Sequence, residues 1–143
     1  ELKVNYFSRF TNLPVISDDS GLCINALKGK PGIYSARWAK KYGSFFNAMR
    51  FILKKMKNKR NRSATFVCSL SLKYPKGKII TVTGQIKGSI SYKILGSKGF
   101  GYDPIFIPLS KSITFGQMSK AKKIRIDHRS VAFRKMKRKI KIF

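Results

Sequence analysis

Asp18 and Asp19 stand side by side in Ser17-Asp18-Asp19-Ser20-Gly21-Leu22, in a chain with five acidic residues against 32 Lys plus Arg. Two carboxylates offer hard oxygen ligands to Mg²⁺, which takes one or two of them and completes its shell with water and substrate phosphates. A third acid, Asp103, lies in Gly99-Phe100-Gly101-Tyr102-Asp103-Pro104. The flanking glycines let backbone approach a flat ligand while the Phe100 ring offers a face for stacking. The one histidine, His128, sits between Asp127 and Arg129. The Asp127 charge is expected to raise the imidazole pKa. Arg129 only donates hydrogen bonds, so in a pocket it suits a carbonyl oxygen such as a purine O6 and finds no acceptor on a 6-amino group. Each feature has a plainer reading: an Asx turn, a tight aromatic-packed turn, and a cap or surface histidine.

The elements around these residues follow from patterning. Leu13-Pro14-Val15-Ile16 reads as a short buried strand that runs out into a glycine-containing turn carrying the acidic pair. Leu22 to Leu27 is a second short strand and Lys28 to Gly32 a loop. Ile33 to Ala39 can start a helix, with Arg37 either structural or free for an anion. Ser44 is a candidate N-cap for a helix over Phe45 to Lys57, whose Phe45, Met49, Ile52 and Met56 form an apolar stripe. Asn58 to Ser63 is a polar loop. Ala64, Phe66, Cys68, Leu70 and Leu72 alternate with other residues, Pro75 to Lys78 turns the chain, and Ile80, Val82, Gly84 and Ile86 alternate on the return. That is a long antiparallel hairpin. Pro104 to Pro108 is a compact apolar strand, Ser119 can cap a short helix over Lys120 to Ile124, and Phe133, Met136, Ile140 and Phe143 stripe a last helix. Leu2 to Phe10 is helix-compatible. Helices and strands interleave, so the class is α/β or α+β with a mixed sheet.

The 143 residues, 43% apolar, suit a single domain with a real core. No stretch approaches the ~18 apolar residues of a membrane span. Cys23 and Cys68 lack metal-ligand spacing, so free thiols in a reducing, cytoplasmic compartment are expected. The formal charge of +27 suits a nucleic acid or another polyanion. Its spread from Lys3 to Lys141 favours general lysine enrichment over a dedicated patch.

Four ordered stretches then carry a resemblance: Leu13 to Leu22, Gly29-Lys30-Pro31-Gly32-Ile33-Tyr34-Ser35-Ala36-Arg37, Gly99 to Pro104, and Ile126-Asp127-His128-Arg129. Together they resemble the pyrophosphatases of non-canonical purine nucleoside triphosphates, the inosine and xanthosine triphosphate pyrophosphatases. The resemblance implies an α/β fold: an elongated mixed sheet flanked by helices, with a nucleotide cleft between two lobes, usually in a homodimer. It implies Mg²⁺-dependent hydrolysis of ITP, dITP or XTP to the monophosphate and pyrophosphate. By position, Asp19 would hold Mg²⁺ and help activate the water, and Ser20 would contact substrate. Phe100 would stack on the base with Gly101, Tyr102 and Asp103 completing its wall, and Lys123, His128 and Arg129 would surround it.

The same resemblance leads one to expect, ahead of residue 1, a strand, a Ser/Thr-Gly-Asn-x-x-Lys phosphate loop and a metal-assisting Glu. Residues 1–143 therefore read as a single, incomplete domain lacking the first strand, with weak or no activity alone, because those groups stabilise the transferring phosphoryl. Gln117 stands where an acid is usual and Asp127 where a Ser is usual. The alternative expectations are a basic nucleic-acid-binding protein or an inactive remnant on the same fold.

Overall fold

The computed structural model describes residues 1–140; the Phe143 position of the last stripe lies outside them. The elements are α1 (Leu2–Phe7), β1 (Val15–Ile24), β2 (Pro31–Gly32), α2 (Ser35–Lys41), α3 (Phe45–Met56), β3 (Ser63–Lys73), β4 (Ile79–Ile90), β5 (Phe106–Pro108), α4 (Lys120–Ile124) and α5 (His128–Ile140). The strands form one sheet in the order β2-β1-β3-β4-β5. The expected α/β class, a sheet flanked by helices, is present. Where a mixed sheet was expected, each described pairing is antiparallel.

The hairpin forms as the alternation requires. Ala64, Phe66, Cys68, Leu70 and Leu72 are all buried on one face of β3. That face serves two cores in succession. Phe66 joins Leu22, Phe106 and Phe115 beneath the α3 residues Met49, Ile52 and Met56. Further along, Cys68, Leu70, Leu72 and Val82 pack against Ala132 and Met136 of α5. Gly84 makes the second packing possible: a Cβ there would overlap His128 O and the Ala132 backbone. Ser44 caps α3, its hydroxyl accepting the Asn47 N–H at 3.0 Å. Ser119 likewise accepts from Lys122 N at the start of α4.

One expectation fails in an instructive way. The acidic pair lies in no turn; β1 is a single ten-residue strand running straight through it. Asp18 pairs across with Leu70 and Asp19 with Ser69. Gly21 is small because β2 crosses over it, so that a Cβ would strike the Gly32 carbonyl. The preceding Leu13 and Ile16 are exposed, so the expected buried strand is not there. Leu22 to Leu27 is likewise no separate strand but the end of β1 followed by a 3₁₀ turn, Asn25–Leu27. No helix among the described residues is long and apolar enough to cross a membrane.

Candidate active site

Alternation along β1 sends its two aspartates to opposite faces. Asp18 shares the Leu70 face, on which α5 packs, and accepts Arg129 Nε at 2.8 Å. Asp19 shares the Ser69 face, where Lys3 of α1 sits 3.5 Å from its Oδ1. The two side chains thus point apart. Both nonetheless line one cleft of about 220 Å³. Burial works against the Asp18 charge, but the Arg129 hydrogen bond and the Arg129 and Lys3 charges prevail. They hold its carboxyl below the usual range.

The opposite wall is the glycine loop. Gly99 and Gly101 both have positive φ, +79° and +65°, a region that glycine enters without strain. The fold they allow lets Asp103 Oδ2 accept the Phe100 N–H at 2.6 Å. Lys123 Nζ reaches the same oxygen at 2.6 Å in a nearly dry setting. Burial pushes the Asp103 carboxyl above its usual range in spite of that cation. Tyr102 is anchored by its hydroxyl, which donates to Ser35 O at 2.9 Å, and burial raises its pKa. Phe100, braced edge-on by Phe45 at 5.2 Å, stays 64% exposed, so a face remains free for a ligand.

The third wall is the start of α5. His128 is 3% exposed and lies flat on Phe66, with ring centroids 4.8 Å apart and planes at 10°. The expectation that Asp127 would raise its pKa is overturned. Burial, then the Arg129 charge, push it down to about 4, and Asp127 only partly opposes them. Asp127 is instead occupied in capping α5, its Oδ1 accepting Ser130 N at 2.8 Å. Aspartate caps as well as serine does, which explains why the departure at this position is tolerated. Gln117 likewise keeps the acceptor an acid would supply, its Oε1 taking Thr114 N at 3.0 Å. His128 Nδ1 is buried with no partner among the described residues.

The cleft thus brings together Asp19, Ser20, Phe100, Gly101, Tyr102, Asp103, Lys123, His128 and Arg129. A second cavity of about 630 Å³ opens beyond Phe100 and Lys123, lined also by Met118, Ile124 and Asp127. Arg37 is not a lining residue; its guanidinium lies over the Tyr34 ring at 5.1 Å. Sequence reasoning missed Lys3, since nothing in a weakly patterned N-terminal helix marks one lysine among so many. It also missed Phe66, whose alternation predicts burial but not the ring stacked on it. Among the described residues no group of three or more His, Cys, Asp or Glu could hold a metal ion by itself. Asp19 would hold Mg²⁺ only together with oxygens of a bound phosphate, because Asp18 lies on the other face of β1 and is held by Arg129.

A helix-flanked sheet with both β1 carboxylates and the exposed Phe100 ring lining one cleft is an α/β architecture with a polar and an aromatic wall. A sequence profile of the Ham1 family matches residues 1–139, and the chain belongs to that family. It is 41% identical over 138 residues to a dITP/XTP pyrophosphatase of Rhodospirillum centenum, covering 94% of this chain and 68% of the relative. It is 39% identical to one of Caulobacter vibrioides, covering 95% of this chain and 71% of the relative. The Staphylococcus aureus Ham1 protein superposes with a TM-score of 0.91 at 38% identity, over 98% of this chain and 73% of that one.

Proposed function

We propose that the cleft binds 6-oxopurine nucleoside triphosphates such as dITP and XTP and directs their hydrolysis to the monophosphate and pyrophosphate. The observation that carries this is the shared cleft of Asp19 and Phe100. One wall suits phosphates and the other suits a base. The dITP/XTP pyrophosphatase relatives support the same substrate class.

Bound Mg²⁺ would neutralise phosphate charge and polarise the bond that breaks. Asp19, 64% exposed at its side chain, is the carboxylate free to turn toward that ion. Asp18 is committed to Arg129. Lys3 is exposed and held by a long contact to Asp19, so it can release the carboxylate and follow the phosphate chain. Ser20 offers a hydroxyl 3.5 Å from Asp18 Oδ2. Hydrolysis of a phosphoanhydride needs mainly positioning and charge neutralisation, and these groups supply them.

At the base end, Phe100 supplies the stacking face. Lys123 and Arg129 carry only donors, which match a 6-oxo oxygen and leave a 6-amino group unpaired. His128, neutral at physiological pH, presents a ring that is both donor and acceptor. The test is equilibrium binding of dITP and dATP, each with and without Mg²⁺, together with pyrophosphate release. The expected result is dITP bound at least tenfold more tightly than dATP, with slow Mg²⁺-dependent turnover that Asp19→Asn removes. Equal affinity for the two nucleotides would overturn the reading.

A further inference from the structure

A second ring cluster lies on the outer side of α2 and α3 and shares no lining residue with the cleft. Tyr42 and Phe51 stack at 4.5 Å, and Trp38 meets both edge-on at 6.1 and 5.5 Å. These half-buried rings line a groove of about 710 Å³. Its rim is cationic: Lys28, Lys30, Lys41 and Lys55 are all exposed. Lys41 Nζ rests 5.7 Å from the Tyr42 centroid and Lys55 Nζ 5.6 Å from that of Phe51. Among the described residues no carboxylate lines the groove. Asp18, Asp19, Asp103 and Asp127 all line the cleft or the cavity beside it.

This segregation narrows the occupant. A second copy docked on this groove about a two-fold axis would set the rim lysines against their own counterparts. An acidic peptide would match the lysines but offer a flat ring only where it carries an aromatic residue. A single strand of nucleic acid supplies both phosphates for the ammonium groups and π-faces for the aromatic side chains. We propose that this groove binds single-stranded nucleic acid, with bases stacked at Trp38, Tyr42 and Phe51 and the backbone between the flanking lysines. Lys41 and Lys55 move from ring faces to phosphates as it binds.

Trp38 is the one tryptophan of the chain, so its emission reports on this groove alone. The experiment titrates the whole chain with a twelve-residue oligothymidylate, and separately with inorganic polyphosphate of equal charge, from 50 to 200 mM salt (about the range over which such contacts weaken). The oligonucleotide is expected to quench Trp38, and the polyphosphate to bind without quenching. By anisotropy of labelled oligonucleotide, Trp38→Leu should weaken binding about tenfold. The exposed pair Lys41→Gln/Lys55→Gln should lower the salt slope by about 1.4, at roughly 0.7 per lost contact. A control pair on another face, Lys111→Gln/Lys122→Gln, should leave the slope unchanged. Unquenched Trp38 at saturation, or an equal fall in slope for the control pair, would sink the proposal, as would absence of binding. Should Trp38→Leu fail to fold, the two lysine pairs decide. Saturating dITP leaves this binding unaltered, so failure here is separable from failure of the cleft reading.

Discussion

Lys123 Nζ and Asp103 Oδ2 meet at 2.6 Å, on the very oxygen that accepts the Phe100 N–H. The pair ties α4 to the glycine loop, so the exposed Phe100 ring and the Lys123 ammonium hold one another in place. Removing the cation leaves a carboxylate 1% exposed without a counter-charge. Lys123→Met should therefore cost about 3 kcal/mol at pH 7, measured by urea denaturation. The deficit should shrink toward pH 4, because a protonated Asp103 needs no cation. A deficit independent of pH would show that lost packing, not charge, is responsible.

His128 makes stability fall on acidification. Its folded pKa is about 4, against about 6.5 for an ordinary histidine. Between these values the unfolded chain binds a proton that the folded chain refuses, so stability is lost as pH drops from about 6.5 to about 4. The full loss approaches about 3 kcal/mol. Comparing the denaturation midpoints of the parent chain and His128→Gln across this window isolates the contribution, and the variant's profile should be flatter by that amount.

Gly84 sets how close α5 comes to β4, and His128 and Arg129 ride on the first turn of α5. Gly84→Ala should destabilise the chain by about 1–3 kcal/mol through overpacking. It should also weaken dITP binding although it touches no ligand. A control, Gly29→Ala, has open space for its methyl but a φ of +80°, so it should lose stability without losing affinity.

Phe100→Ala should do the reverse. The ring is largely exposed, so stability should move by no more than about 0.5 kcal/mol, while dITP affinity should fall about tenfold with the stacking face gone. Calorimetric titration reads both nucleotide affinity and, through the heat-capacity change, the lost apolar contact.

Much of the site was legible in the residues because the motifs are local. Gly99 to Asp103 fold on themselves, so their spacing encodes their geometry, and Ser44 and Ser119 announce helices they do cap. The failures share a cause: they concern what a distant segment does to a local one. A glycine after acidic residues reads as a turn, whereas Gly21 is required by the crossing of Gly32. Asp127 beside His128 reads as a charge partner, whereas the helix end takes that carboxylate and the Phe66 ring sets the imidazole's environment. Arg62, within a stretch that reads as a polar loop, is buried and donates to the carbonyls of Met56, Ile90 and Ser91.

The outer edge of β1 has one further consequence. Among the described residues it meets a neighbouring strand only at Leu22 and Cys23, and beside it Leu2, Phe7, Phe10 and Leu13 stand more than half exposed. Such an open edge is a template for adhesion between molecules, and a formal charge of +27 opposes it. Added electrolyte shortens the reach of that repulsion to about a Debye length. Concentrated solutions should therefore turn cloudy as buffer strength rises and clear again on dialysis, a reversal of the usual salting-in of a basic protein.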